Sequence, residues 1–177
     1  MTSKTITLTK VAIMSALLCA ICPIIIPLGI VPISLATLFI MIFTYIFGSR
    51  MCMLSIIIYI LLGAIGIPVF SGYTGGIHIL VGPTGGYIIG YLLMCLISGT
   101  LIKHLGANMI FTTISFICGN LSLYCIGTIY LSIINNLSYK NALLTGVVPF
   151  IIPDLIKIIL ASIMAPRLKS RLLPFMH

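Results

Sequence analysis

Long apolar stretches, broken by charged residues, glycine and proline, dominate the pattern of this chain. Reading each stretch between its breaks gives six segments. They cover approximately residues 9–26, 33–47, 51–65, 84–102, 108–134 and 142–165. An α-helix rises about 1.5 Å per residue, so several of these segments are long enough to cross a hydrocarbon core about 30 Å thick. The pattern therefore predicts an all-α integral membrane protein, a bundle of six transmembrane helices in a single domain.

The composition points the same way. Apolar residues make up 61% of the chain and charged residues only 6%. A soluble domain averages about 45–50% apolar and about 25% charged residues. Because so few charged residues are available to face water, the composition excludes an ordinary soluble globule and a disordered chain.

The cations indicate an orientation in the membrane. Nine Lys and Arg residues stand against one acidic residue, and the cations are spread singly, which argues against a nucleic-acid-binding face. In the six-span arrangement, the side that holds both termini carries seven cations, and the other side carries only Lys140. Those seven are Lys4, Lys10, Arg50, Lys103, Arg167, Lys169 and Arg171. Since cytoplasmic loops hold the excess of Lys and Arg, we expect both termini in the cytoplasm and the chain in the plasma membrane.

Asp154 and Lys157 are the most informative residues of the chain. They are three positions apart, on one face of the sixth predicted helix, and the expected orientation places them in its outer half. The pair either fills a polar seam as a mutual salt bridge, with Lys157 extending outward to the membrane surface as a further alternative, or binds a ligand. Desolvation offsets the attraction within an isolated buried pair, and ionisable groups inside a span normally face a cavity. The use of the only acidic residue here therefore favours a ligand site.

A glycine-rich connection over residues 66–83 is predicted to lie outside the membrane. Nine of the sixteen glycines fall between Gly63 and Gly90, a density that lets the backbone approach a ligand closely. No Gly-Lys-Ser/Thr follows, so it is not a Walker phosphate loop. Thr84 is expected to cap the fourth helix, and Tyr87 can offer a ring and a hydroxyl to a substrate. His78 is expected to form a simple hydrogen bond rather than bind a metal. Thr84 and His78 are also candidate substrate-binding residues.

Small residues recur every four positions along the first predicted helix, at Ala12, Ala16 and Ala20. This spacing lets another helix come close. That helix belongs either to the same bundle or to a separate membrane partner, and the repeat alone leaves both possibilities open.

Sets of residues that carry catalysis or energy coupling are missing from the sequence. One acidic residue cannot build a proton relay of several acids, and no catalytic or metal-binding motif is present. The sequence therefore predicts no enzyme, no cofactor and no metal site, and active transport would require an energised partner.

Three stretches resemble the BioY family. They are the region 63–91, with its Gly-Pro-Thr-Gly-Gly-Tyr and Pro-Val-Phe elements, the segment Val31-Pro32-Ile33-Ser34-Leu35, and the region 148–157, which ends in Pro-Asp-Leu-Ile-Lys. Members of this family are the biotin-binding S-components of energy-coupling-factor (ECF) transporters. The resemblance implies an S-component bundle with an externally facing pocket. It also implies an ECF transmembrane coupling subunit that docks on the alanine face, and two cytoplasmic ATPases.

The resemblance also implies roles for individual residues. Asp154 would accept the ureido N–H groups of biotin, and Lys157 would either donate to the ureido oxygen or pair with the carboxylate. Tyr87 would cover the ring system. Remaining acceptors of the ligand would meet backbone amides at Gly75, Gly76 and Gly85.

Two departures from the family pattern bear on affinity. Ala36 stands where the family often has glutamine, which removes a polar contact, and Pro153 stands where glycine commonly precedes the aspartate, which restricts the backbone. Two alternative hypotheses remain open at this point: an S-component for another vitamin, and a small intramembrane enzyme that uses the polar pair for acid–base work.

Overall fold

The computed structural model describes residues 3–27 and 30–172 and is helical over most of that length. The helices are α1 (Ser3–Ile21), α2 (Ala36–Phe47), α3 (Ser49–Ala64), α4 (Ile77–Leu80), α5 (Gly85–Leu105), α6 (Met109–Ile134), α7 (Tyr139–Gly146) and α8 (Ile151–Leu172). Two short antiparallel strands, β1 (Ile25–Ile26) and β2 (Ile33–Ser34), lie between α1 and α2, and a 3₁₀ turn, Val148–Phe150, joins α7 to α8. The all-α prediction is confirmed.

Four helical stretches within the described residues are long and apolar enough to cross a membrane: Lys4–Ile21, Gly85–Leu105, Met109–Ile134 and Tyr139–Leu172. The helices α2 and α3 are apolar but shorter. Together these six stretches correspond to the six segments of the sequence pattern. The number of spans and the cytoplasmic termini stay predictions, because length and composition alone do not place a bilayer.

The helix boundaries differ from those expected, for local reasons. The first helix runs from Ser3 to Ile21 rather than over residues 9–26, since Pro23 disfavours helical backbone in the residue before it. The sixth predicted segment, residues 142–165, is divided into α7 and α8. Its helical structure begins earlier than expected, at Tyr139, because the side chain of Ser138 caps α7 by accepting from the N–H of Asn141. The glycine-rich connection contains the short helix α4. The first loop, residues 27–34, is predicted to join the first two segments outside the membrane. Two of its residues, Leu28 and Gly29, lie outside the described residues.

Glycines set the contact between α5 and α6. A Cβ atom added at Gly86 would collide with the ring of Tyr130, and one added at Gly90 would lie 2.7 Å from a methyl carbon of Leu123. Small residues at such a spacing let two helix backbones approach closely. This contact holds the first turns of α5 against the C-terminal half of α6.

The strand pair holds the start of α2 in place. The hydroxyl of Ser34 donates to the carbonyl of Cys22 at 3.3 Å and accepts from the N–H of Ala36 at 3.1 Å. α2 in turn packs along α8. The carbonyl group of Ser34 therefore lies beside the first turns of α8, which carry the charged pair.

Candidate ligand-binding site

A cavity lies between the N-terminal ends of α2, α5 and α8 and the middle of α6. Its empty volume is about 390 Å³, including the space at its open mouth. Four aromatic side chains form much of its wall: Tyr87, Tyr91, Tyr124 and Phe150. Its polar groups come from Ser34, Thr37, Asp154 and Lys157. The cavity thus combines an apolar, ring-covering surface with a few polar groups that converge on one side, as small-molecule sites generally do.

Asp154 and Lys157 form a buried ion pair in this cavity. The Lys157 Nζ atom lies 2.9 Å from Asp154 Oδ1, and only 4% of Asp154 and 6% of Lys157 is exposed. Asp154 stands in the first turn of α8, where the helix dipole stabilises a carboxylate, and Lys157 follows one turn later. The sequence placed both residues on one helix face, and the structure brings both to the cavity.

All three protons of the Lys157 ammonium group have an acceptor. Besides Asp154, Nζ donates to the Ser34 carbonyl at 2.7 Å and to Thr37 Oγ1 at 3.3 Å. An ammonium group has three donors and no acceptor, so the cation is fully satisfied and held by groups from β2, α2 and α8. A ligand oxygen that bonds Lys157 must therefore replace one of these acceptors, and Thr37 makes the longest bond.

The second oxygen of Asp154 faces α6. Tyr124 Oη donates to Asp154 Oδ2 at 2.6 Å, and Asn120 Nδ2 lies 3.5 Å from the same oxygen. Asn120 is 4% exposed, and its own Oδ1 has no hydrogen-bond partner among the described residues. An unpartnered buried acceptor carries a desolvation cost.

We expect the Tyr124→Phe variant to lower the free energy of unfolding by about 1.5–3 kcal/mol, the range for a hydrogen bond to a charged group. Without the hydroxyl, Asp154 Oδ2 keeps only the longer contact to Asn120. Thermal unfolding of the purified variant measures the change. The matched control is Tyr130→Phe, which loses a bond to the neutral carbonyl of Leu80 at 2.9 Å and should cost about 0.5–1.5 kcal/mol. Equal effects of the two substitutions would contradict a charge-assisted bond at Tyr124.

Sequence reasoning missed Asn120, Tyr124 and Thr37 as residues of this site. A signal for the first two was present, because an asparagine and a tyrosine four positions apart share a helix face within an apolar span. No comparable signal marks Thr37. It reaches Lys157 only because α2 packs on α8.

Tyr87 lines the cavity, and its position is tightly determined. Its hydroxyl donates to the carbonyl of Gly146 at 2.9 Å. A Cβ atom at Gly127 or at Gly146 would collide with the tyrosine side chain. The two glycines therefore make room for Tyr87 between α6 and α7, and its contact with a ligand stays a prediction.

The three glycines predicted to offer amides lie outside the residues that line the cavity. They serve close backbone packing instead: a Cβ atom on Gly75 would collide with the backbone of Ile67, and one on Gly85 with the carbonyl of Leu80. Gly76 has a φ of +108°, a conformation that favours glycine. Ligand binding by these three residues stays a prediction.

Thr84 and His78 also lie outside the cavity lining. Thr84 occupies the N-cap position of α5, but its side chain makes no capping hydrogen bond, because its own backbone is helical (φ −87°, ψ −11°) rather than extended. The expected side-chain cap is therefore wrong. His78 is exposed on α4, and within residues 3–27 and 30–172 no cluster of three or more metal-ligating side chains occurs. Ligand binding by Thr84 and His78 stays a prediction.

The alanine repeat of α1 faces outward. Ala12, Ala16 and Ala20 are all exposed, whereas Met14 and Leu18 form the buried face of the same helix. The alternative that the alanines pack inside the bundle is thus wrong for the chain as described here. Docking of a separate membrane partner on them stays a prediction.

Comparisons with known proteins agree with this geometry. Residues 1–173 match the sequence profile of the BioY family. The biotin transporter BioY2 of Lactococcus lactis is 38% identical over 91% of this chain and 88% of its own length, and the biotin transporter BioY of Thermotoga maritima is 36% identical over 92% and 95%. A crystal structure of the S-component for biotin from an ECF-type ABC transporter superposes with a TM-score of 0.87 at 32% identity, over 96% of this chain and 95% of that one. The chain therefore belongs to the BioY family.

Proposed function

We propose that this protein is the substrate-binding subunit, or S-component, of an ECF-type transporter in the plasma membrane. It captures biotin from outside and delivers it across the membrane, driven by a transmembrane coupling subunit and two cytoplasmic ATPases. It is a transport protein rather than an enzyme and uses no cofactor. The observation that carries the proposal is the buried Asp154–Lys157 pair inside an aromatic-walled cavity in a member of the BioY family.

The polar groups of the cavity complement the ureido ring of biotin. That ring has two N–H donors and one oxygen acceptor. The Asp154 carboxylate, which lines the cavity, is the acceptor for the N–H groups. Asn120 lies beside it, outside the lining residues, and its buried Oδ1, without a partner among the described residues, is a second acceptor next to the site. Hydrogen bonds to an ionised acceptor in a dry site are the strong ones. Tyr87 and Tyr91 cover the apolar ring system.

Lys157 meets an oxygen of the ligand. The ureido oxygen is the favoured partner because it lies close to the N–H groups that Asp154 accepts; the carboxylate at the other end of biotin is the alternative. In either case the ligand oxygen replaces Thr37 Oγ1, whose bond to Nζ is the longest of the three at 3.3 Å. The ion pair and the bond to Ser34 stay intact during binding.

Two loops are proposed to control access to the cavity. Val31 and Pro32 of the first loop line its mouth. The connection 66–83 contains α4, which precedes α5 and contacts both α3 and α5. We propose that this connection acts as a lid over the cavity.

The departures from the family pattern leave the charged pair in place. Ala36 is fully buried at the start of α2. Pro153 stands in the first turn of α8, where helix N–H groups have no intrahelical acceptor and a proline is tolerated.

A titration of the purified chain in detergent with biotin and a panel of other vitamins tests the function. We expect saturable binding of biotin, with no competition from the other vitamins. The Thr112→Val variant is the control, because it removes a fully buried hydroxyl that has no hydrogen-bond partner among the described residues, and it should bind biotin as the native chain does. Tighter binding of a different vitamin would show that this vitamin, and not biotin, is the substrate. Chemical conversion of the ligand without an ATPase partner would indicate an enzyme.

A further inference from the structure

A second cleft lies at the opposite end of the bundle from the ligand cavity. The two sites use opposite ends of the same helices: Tyr87 and Lys157 line the first, whereas Lys103 and Lys169 of the same α5 and α8 line the second. At a rise of about 1.5 Å per residue, Tyr87 and Lys103 are about 24 Å apart along α5. The second cleft has an empty volume of about 1320 Å³, including space open to solvent. It plays no part in the proposed binding of biotin.

Three cations from three helices converge on this cleft: Arg50 in the first turn of α3, Lys103 in the last turn of α5, and Lys169 near the end of α8. Lys169 is held by neutral groups. Its Nζ donates to the carbonyl of Tyr45 at 3.5 Å and lies 5.2 Å from the centre of the Tyr45 ring. Tyr45 is itself buried and donates from its hydroxyl to the carbonyl of Ala107 at 3.1 Å.

No carboxylate side chain of this protein can neutralise these cations. The sequence has a single acidic residue, Asp154, and its carboxylate is paired with Lys157 in the other cavity. The cleft also receives the start of α3, whose first N–H groups have no intrahelical acceptor and carry the positive end of the helix dipole. The positive charge gathered here therefore has no side-chain carboxylate of the chain as its counter-ion, and an anion from outside the chain can supply one.

The walls of the cleft indicate which anion fits. Beside the cations and the Ser49 hydroxyl lie the apolar side chains of Met51, Leu54 and Ile102. A free inorganic anion would use only the polar part of this lining, whereas a phospholipid would place its phosphate at the cations and its acyl chain on the apolar wall. The predicted orientation puts this end of the bundle at the cytoplasmic leaflet, where anionic lipids attract clustered Lys and Arg.

We propose that this cleft binds the phosphodiester headgroup of an anionic phospholipid, with Arg50, Lys103 and Lys169 as its cationic contacts. The site anchors the cytoplasmic end of the S-component to the bilayer surface. It is independent of the ligand that occupies the opposite cavity.

The test reconstitutes the full chain in vesicles of equal parts phosphatidylglycerol and phosphatidylcholine, extracts it, and counts the retained lipids by native mass spectrometry. We expect phosphatidylglycerol to be enriched. The triple variant R50Q/K103Q/K169Q should lower the enrichment by at least about tenfold, since each cation near an anionic headgroup contributes on the order of fivefold in affinity. The matched control K140Q/R167Q/R171Q removes the same charge from other surfaces and should keep most of the enrichment.

Two further measurements make the result decisive. The R50K variant keeps the charge and should retain phosphatidylglycerol, and an unchanged unfolding temperature of the triple variant shows that it folds. Equal enrichment in the native chain and the triple variant would overturn the proposal and leave an acidic protein partner as the source of the counter-charge. Displacement of phosphatidylglycerol by inorganic phosphate alone would overturn the assignment to a lipid.

Discussion

Replacing Asp154 by asparagine is expected to weaken biotin binding by about 10- to 150-fold. The substitution keeps the shape of the side chain but turns a charged acceptor into a neutral amide, one end of which is a donor. The lost charge-assisted bond contributes about 1.5–3 kcal/mol, and about 2.7 kcal/mol corresponds to 100-fold in the dissociation constant. Equilibrium binding of labelled biotin to the purified variant measures the loss.

The same experiment needs a control for folding, because Asp154 also pairs with Lys157. The Asp154→Asn variant leaves Lys157 as a buried cation without its counter-charge and is expected to lose stability. The ammonium group keeps its bonds to Ser34 and Thr37, and the unfolding temperature of the purified variant shows whether it is folded. The Thr112→Val variant, altered at a buried hydroxyl outside the cavity, should retain native affinity. Unchanged binding by the Asp154→Asn variant would remove this carboxylate from the proposed site.

The second large effect concerns stability. We expect Lys157→Met to lower the free energy of unfolding by about 3–5 kcal/mol, because it leaves Asp154 as a buried, uncompensated carboxylate. Removing the carboxylate charge as well, in the double variant Asp154→Asn/Lys157→Met, should recover a large part of that loss, since no isolated charge remains. Thermal unfolding of both variants and of Asp154→Asn completes the double-mutant cycle.

The cycle also separates the structural role of the pair from its role in binding. The double variant should be more stable than Lys157→Met and yet bind no biotin, since both polar contacts to the ureido group are gone. Recovery of biotin binding together with stability would mean that the pair only holds α8 in the bundle. Failure to recover stability would mean that the lost bonds to Ser34 and Thr37, rather than the bare charge, cause the destabilisation.

These predictions rest partly on features that the sequence alone makes visible. Asp154 and Lys157 lie on one helix face because their spacing of three residues is a local property of an α-helix. Because charged residues are scarce in this apolar chain, their presence within a span favours a functional role. The glycine contacts of α5 are only partly predictable from the sequence. The spacing of Gly86 and Gly90 predicts a helix-packing face, but only the structure shows that Tyr130 and Leu123 of α6 pack against it.

The loop region shows where sequence patterns mislead and where they leave alternatives open. A run of glycines beside Thr84 predicted amides directed at a ligand and a capped helix. In the structure, Gly75 and Gly85 bring backbone against backbone, and Thr84 has helical dihedral angles that leave its hydroxyl without a capping bond. A high density of glycine indicates that the backbone comes close to another group. It does not indicate whether that group belongs to a ligand or to the protein itself.

The sequence by itself determined that this protein is an apolar, helical membrane protein with one buried charged pair on its last helix. Those properties depend on composition and on neighbours within one helical turn. Only the tertiary structure decided what surrounds the pair: the carbonyl of Ser34 and the hydroxyl of Thr37 on Lys157, and the side chains of Asn120 and Tyr124 beside Asp154. These groups are 30 or more positions away along the chain, and they meet because whole helices pack together, which no local pattern of residues encodes.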